Sequence, residues 1–96
     1  MYIVLLRFSR NKNQASQYMD AHRAWIKRGF DDEVFLLAGS LQPESGGAIL
    51  AAKTSRDELE KRVATDPFVE ADVVSAEILE IDPAKADERL AFLVEN

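Results

Sequence analysis

Ninety-six residues, 47% hydrophobic and 30% charged, describe a globular chain of one domain, 1–96, with no room for a second. Twelve basic residues stand against seventeen acidic ones, and the formal charge of -5 argues against a nucleic-acid binder, whose affinity rests on neutralising phosphates. The absence of cysteine excludes disulfide scaffolds, zinc ribbons, iron–sulfur centres and thiol nucleophiles.

The chain opens with the apolar run YIVLLRF at 2–8, read as a strand. It is too short to span a membrane and lacks the flanks of a signal peptide, so a soluble cytoplasmic protein without membrane attachment is expected. A polar turn follows, with Asn11 or Asn13 as a possible cap. Ala15, Tyr18, Met19, His22, Ile26 and Phe30 then recur at steps of three and four, which predicts a helix over about 13–29. Gly29 stands where such a helix would stop.

EVFLLAGSL at 33–41 predicts a second strand, with Gly39 marking a bulge or a close backbone approach. The turn QPESGG joins it to a third strand, GAILAAKT. Ser55 and Glu58 have the spacing of a capping box, so a second helix is expected over about 56–64, with Leu59 and Val63 as its apolar stripe. Asp66-Pro67 restarts a helical turn, and 72–81 reads as a fourth strand. Asp82-Pro83 repeats the aspartate–proline pair and predicts a last helix over about 84–94, with Ala86, Leu90 and Leu93 or Val94 facing the body.

This order, βαββαβ plus a C-terminal helix, predicts an α+β ferredoxin-like fold with a four-stranded antiparallel sheet and both helices on one face. The other face should then be bare. In the first strand Tyr2, Val4, Leu6 and Phe8 fill one side, while Ile3 and Leu5 fill the other. Exposed apolar surface on the order of several hundred Å² predicts a homodimer with sheets packed face to face. The alternative is the chain's own C-terminal helix, but twelve helical residues span only about 18 Å.

The only histidine, His22, sits three positions before the only tryptophan, Trp25. The bland reading is a helix residue at the edge of a core. The sharper one is an acid/base group, since imidazole titrates at about 6.5 and can take and return protons at neutral pH. Ser40, beside Gly39, is a candidate nucleophile if the imidazole lies within about 3 Å, and otherwise an ordinary strand-end serine. Trp25 and Phe68 either line an apolar pocket for a planar substrate or belong to the core. Arg7 either grips an anionic group or snorkels at the sheet edge. One histidine and scattered carboxylates make no metal constellation, and no phosphate-cradling loop is present, so neither metal nor cofactor is expected.

HRAWI at 22–26, LLAGSL at 36–41, Gly46-Gly47 and TDPFVEADVV at 65–74 occur in the order and spacing of a known group. Over about residues 1–82 the chain resembles the YciI-like (YCII-related) proteins of the dimeric α+β barrel superfamily. It departs from them at Gly39-Ser40, where the family usually shows Gly-Pro. The resemblance implies a face-to-face sheet dimer and a pocket holding a histidine–aspartate pair, by position His22 and Asp66. The carboxylate would orient the imidazole and fix its tautomer. Asp66 is equally suited to capping a helix, or to doing both with one oxygen each. One relative type removes chloride from a chlorinated hydroxyquinol, so the resemblance implies a small organic, possibly aromatic, substrate. Elimination, isomerisation and hydrolysis remain open, as do a non-catalytic ligand-binding module and an accessory subunit.

Overall fold

The computed structural model describes residues 1–94. Strand β1 is Tyr2–Phe8, and its alternation is the organising pattern of the fold. Tyr2, Val4 and Leu6 are buried, while Ile3 and Leu5 remain half-exposed. Strands β2 (Phe35–Leu41), β3 (Gly46–Ala51) and β4 (Val74–Glu80) complete one antiparallel sheet in the order β2-β3-β1-β4. With helices α1 (Ala15–Asp31), α2 (Arg56–Ala64) and α3 (Pro67–Glu70), this is the α+β ferredoxin-like fold. The core lies between sheet and helices, where Trp25, Leu59, Val63 and Phe68 meet Val4, Phe35, Ile49 and Val74.

Helix α1 begins two residues later than the periodicity suggests, after a 3-10 turn at Lys12–Gln14. No side chain caps it. Asn11, a candidate cap, instead donates its Nδ2 hydrogen to the Ala71 carbonyl at 2.9 Å. The helix also runs past Gly29, which is buried for a packing reason. A Cβ there would lie 2.1 Å from the Phe35 ring, so the glycine lets β2 dock against the helix. Helix α2 forms where expected, with Ser55 Oγ accepting from the Glu58 amide at 3.1 Å.

The bulge in β2 is not at Gly39. It falls between Phe35, which faces Ala51, and Leu37, which faces Leu50. One extra residue reverses every side chain beyond it. Ala38 and Ser40 therefore share the helix-covered side with Phe35, while Leu37 and Gly39 turn to the bare side. The position of a Cβ on Gly39 meets nothing within 4 Å.

The C-terminal helix expected from Asp82-Pro83 does not form. Residues 82–87 are irregular, and a kinked 3-10 segment spans Glu88–Leu93, capped by Asp87. None of its residues is buried, and Leu90 and Phe92 are 47% and 45% exposed. A helix without an apolar surface to dock on has little to hold it. The segment therefore does not cover the bare face, where Leu37 is 54% exposed and Leu79 41%.

The ends of β1 and β4 are clamped by Asp72, whose backbone is left-handed at φ 58. Its carboxylate accepts from Ser9 Oγ at 2.8 Å and Arg10 Nε at 2.9 Å. The Ser9 hydrogen bond, then that of Arg10, holds the carboxyl below its ordinary value of 3.8. A group with a depressed folded pKa contributes stability that is present above the unfolded pKa and lost as pH falls through the folded one. Asp72→Asn should therefore lower the melting temperature at neutral pH, and the gap from the wild type should close below about pH 4. Thermal unfolding at both pH values checks this; a gap that persists in strong acid would assign the effect to something other than the carboxylate charge.

Candidate active site

Met19, His22, Arg23 and Ile26 fall at i, i+3, i+4 and i+7 along α1, which puts them on one stripe of the helix. That stripe forms one wall of a cavity of about 380 Å³. The opposite wall is the helix-facing side of the sheet: Leu6 and Phe8, Gly47 and Ile49, Ala38 and Ser40, and Val74. Small side chains at 38, 40 and 47 leave the space open. Gly46 borders it with φ +134, and a Cβ there would lie 1.9 Å from the Leu6 carbonyl oxygen, so only glycine fits.

His22 Nδ1 stands 2.7 Å from Asp66 Oδ1. The same oxygen accepts the Phe68 amide at 3.0 Å and so caps α3. Asp66 thus caps and pairs at once, but through one oxygen, not one each. A carboxylate in its ionised form only accepts, so opposite it a neutral imidazole places its hydrogen on Nδ1 and its lone pair on Nε2. Nε2 has no hydrogen-bond partner among the described residues and is not among the buried unpartnered atoms, so it keeps some exposure, on a residue that lines the cavity. The ring is held flat against Phe68, with centroids 4.0 Å apart and planes 4° from parallel.

Asp66 is fully buried, and its Oδ2 has no partner among the described residues. Leaving a buried acceptor unsatisfied costs on the order of 1–3 kcal/mol, more for a charged group. A serine would cap α3 without that cost. Capping alone therefore does not explain the buried carboxylate, whose second contact is the imidazole.

Other candidates are distributed unevenly. Phe68 and Ser40 line the cavity with His22; Ser40 makes no hydrogen bond to the imidazole. Trp25 is 2% exposed and lies in the core behind His22, its Nε1 donating to the Arg62 carbonyl at 3.0 Å and its ring edge-on to Phe35. It does not line the cavity. Arg7 shares the parity of Ile3 and Leu5, so it projects from the bare face of the sheet, where it pairs with Glu77 at 2.7 Å. β1 is a central strand, so this is not a sheet edge either. The charged group that does line the cavity is Arg23, which the sequence reading passed over; its spacing from Met19 and Ile26 was the available signal. Among the described residues no group of three or more His, Cys, Asp or Glu side chains is placed to hold a metal ion, and no helix is long and apolar enough to cross a membrane.

A four-stranded α+β fold with a histidine–aspartate pair opening on a cavity between α1 and the sheet defines the class. The model of the YCII-related domain family matches residues 1–82, and the chain belongs to that family. No curated protein matches it. Among solved structures, it is similar to 5-chloro-2-hydroxyhydroquinone dehydrochlorinase from Burkholderia phenoliruptrix in complex with 2,5-dihydroxybenzoquinone, with a TM-score of 0.68 and 17% sequence identity. That likeness covers 84% of this chain and 93% of the other, and shows a shared fold.

Proposed function

We propose that this protein is a small acid/base enzyme acting on a planar aromatic compound, with elimination as its reaction, and that it works as a homodimer through its bare sheet face. The observation carrying the first part is the His22 Nδ1–Asp66 Oδ1 contact of 2.7 Å on a residue that lines the cavity, with Nε2 unpartnered among the described residues. In this arrangement Nε2 removes a proton from the substrate, the electron pair released expels the leaving group as its anion, and the imidazolium keeps Asp66 as counter-ion until it gives the proton to water. Elimination suits a site with one base and no hydrogen-bonded serine nucleophile, and it is the reaction class in the name of the similar dehydrochlorinase. The cavity's volume is in the range of small-ligand sites, and its walls are mostly apolar.

A chain with a single histidine permits an unambiguous test by nitrogen NMR. The free protein should show the tautomer protonated at Nδ1, and 2,5-dihydroxybenzoquinone should shift the imidazole resonances. Chloride release from 5-chloro-2-hydroxyhydroquinone is then measured on the same sample. An Nε2-protonated ring would contradict the assignment of Nε2 as base, and binding without turnover of this or related halogenated phenols would make the protein a ligand-binding module instead.

A further inference from the structure

The wall of the His22 cavity carries charge of one sign. Arg23 is its one permanently charged residue, and no Asp or Glu side chain lines it among the described residues, in a chain whose net charge is -5. The other arginines are mostly neutralised. Arg7, Arg10, Arg56, Arg62 and Arg89 each face a carboxylate at 3.1 Å or less, whereas Arg23 has no such partner among the described residues. A second cation stands close by: Lys12 Nζ lies 4.7 Å from the centre of the Phe8 ring, and Phe8 lines the same cavity. Two cations thus stand at a cavity whose lining holds no carboxylate among the described residues, and such an arrangement raises the local concentration of anions.

We infer that Arg23 sets the specificity of this site for an anionic ligand: a planar aromatic acid, whether carboxylate, phenolate or vinylogous acid. The guanidinium fork meets the charged oxygens, and the ring lies among Met19, Ile26 and Phe8, in reach of the His22 face of the helix. Arg23 acts in binding and takes no part in proton transfer. The inference rests on reading the cavity as the substrate site, but it is independent of whether His22 does chemistry.

Two probes separate charge from shape. The hydroxyls of 2,5-dihydroxybenzoquinone are vinylogous carboxylic acids, ionised at neutral pH, whereas hydroquinone has a similar ring and is neutral. Calorimetric titrations of both into the wild type, Arg23→Gln and Arg23→Lys give the comparison, with circular dichroism confirming that each variant is folded. Arg23→Gln is expected to weaken the anion by about tenfold or more, and Arg23→Lys by less, with hydroquinone binding unchanged within about twofold. Added salt should weaken anion binding to the wild type more than to Arg23→Gln. Equal losses for both probes, an unchanged anion affinity in Arg23→Gln, or no anion binding by the wild type would each overturn the inference. The acid/base reading fails separately: His22→Asn would then keep full chloride release while the dependence of binding on Arg23 persists.

Discussion

His22→Asn is expected to lower turnover by about 10²–10⁴-fold, the range for loss of a positioned general base. Asparagine is the informative replacement because its amide nitrogen falls near the place of Nδ1 and can still donate to Asp66 Oδ1. Alanine would leave a fully buried carboxylate without its side-chain donor, and breaking a buried pair costs about 3–5 kcal/mol, so lost activity could reflect unfolding. The asparagine variant loses the stack on Phe68 and the wider one on Trp25, each worth about 0.5–1.5 kcal/mol at most. Asp66→Asn makes the complementary change. Its amide oxygen still accepts from Nδ1 and from the Phe68 amide, so the cap and ring position survive while the counter-ion is gone. The amide NH2 then occupies the unpartnered Oδ2 position, at a cost of about 1–3 kcal/mol. Two groups acting as a unit give non-additive losses, so the double variant should be about as slow as His22→Asn alone. Initial rates for the three proteins, taken below their melting temperatures, decide the matter. Independent, multiplicative losses would show that Asp66 does not work through the imidazole.

What the residues disclosed and what they concealed follows from the range of each interaction. β1 and α2 are legible because their determinants are local: a short, nearly unbroken apolar run in one case, and a serine cap with two apolar residues four apart in the other. Gly29 misleads because its reason is tertiary; the ring it accommodates is six residues on, across a turn. The bulge in β2 is invisible because Leu36 and Leu37 are both leucine, and a one-residue slip between like residues leaves no mark on the pattern. Yet that slip brings Ser40 and Ala38 into the cavity. Asp66-Pro67 and Asp82-Pro83 look alike, but only the first is followed by side chains with a core to enter, Phe68 above all. The His22–Asp66 pairing came from resemblance, since 44 residues separate the two and no periodicity links them. Arg7 was legible from parity alone: residues 3, 5 and 7 of one strand must share a face, and Ile3 and Leu5 face away from the helices.

That bare face leads to the second large effect: Ile3→Glu is expected to convert a dimer to a monomer. Register places Leu37, Leu50, Ile3 and Leu79 side by side, one from each strand, in a continuous apolar row. Ala48 and Leu5 extend it by one row before Arg7 and Glu77 end the apolar surface. The C-terminal segment leaves the row uncovered, and patches of this kind on a lone domain mark association surfaces. A symmetric contact places both copies of Ile3 within the buried zone, so one substitution introduces two unpaired carboxylates. Each costs several kcal/mol to desolvate, against a few tenths for a half-exposed residue in the isolated chain, so the dissociation constant should rise by about 10³-fold or more. Sedimentation at micromolar concentration should find the wild type at twice the chain mass and the variant at one, with unchanged circular dichroism. Arg7→Gln, at the margin of the row and half-exposed in an ion pair worth about 0–1 kcal/mol, should leave the dimer intact. A wild-type protein that sediments as one chain would show that water, and not a second sheet, covers these leucines.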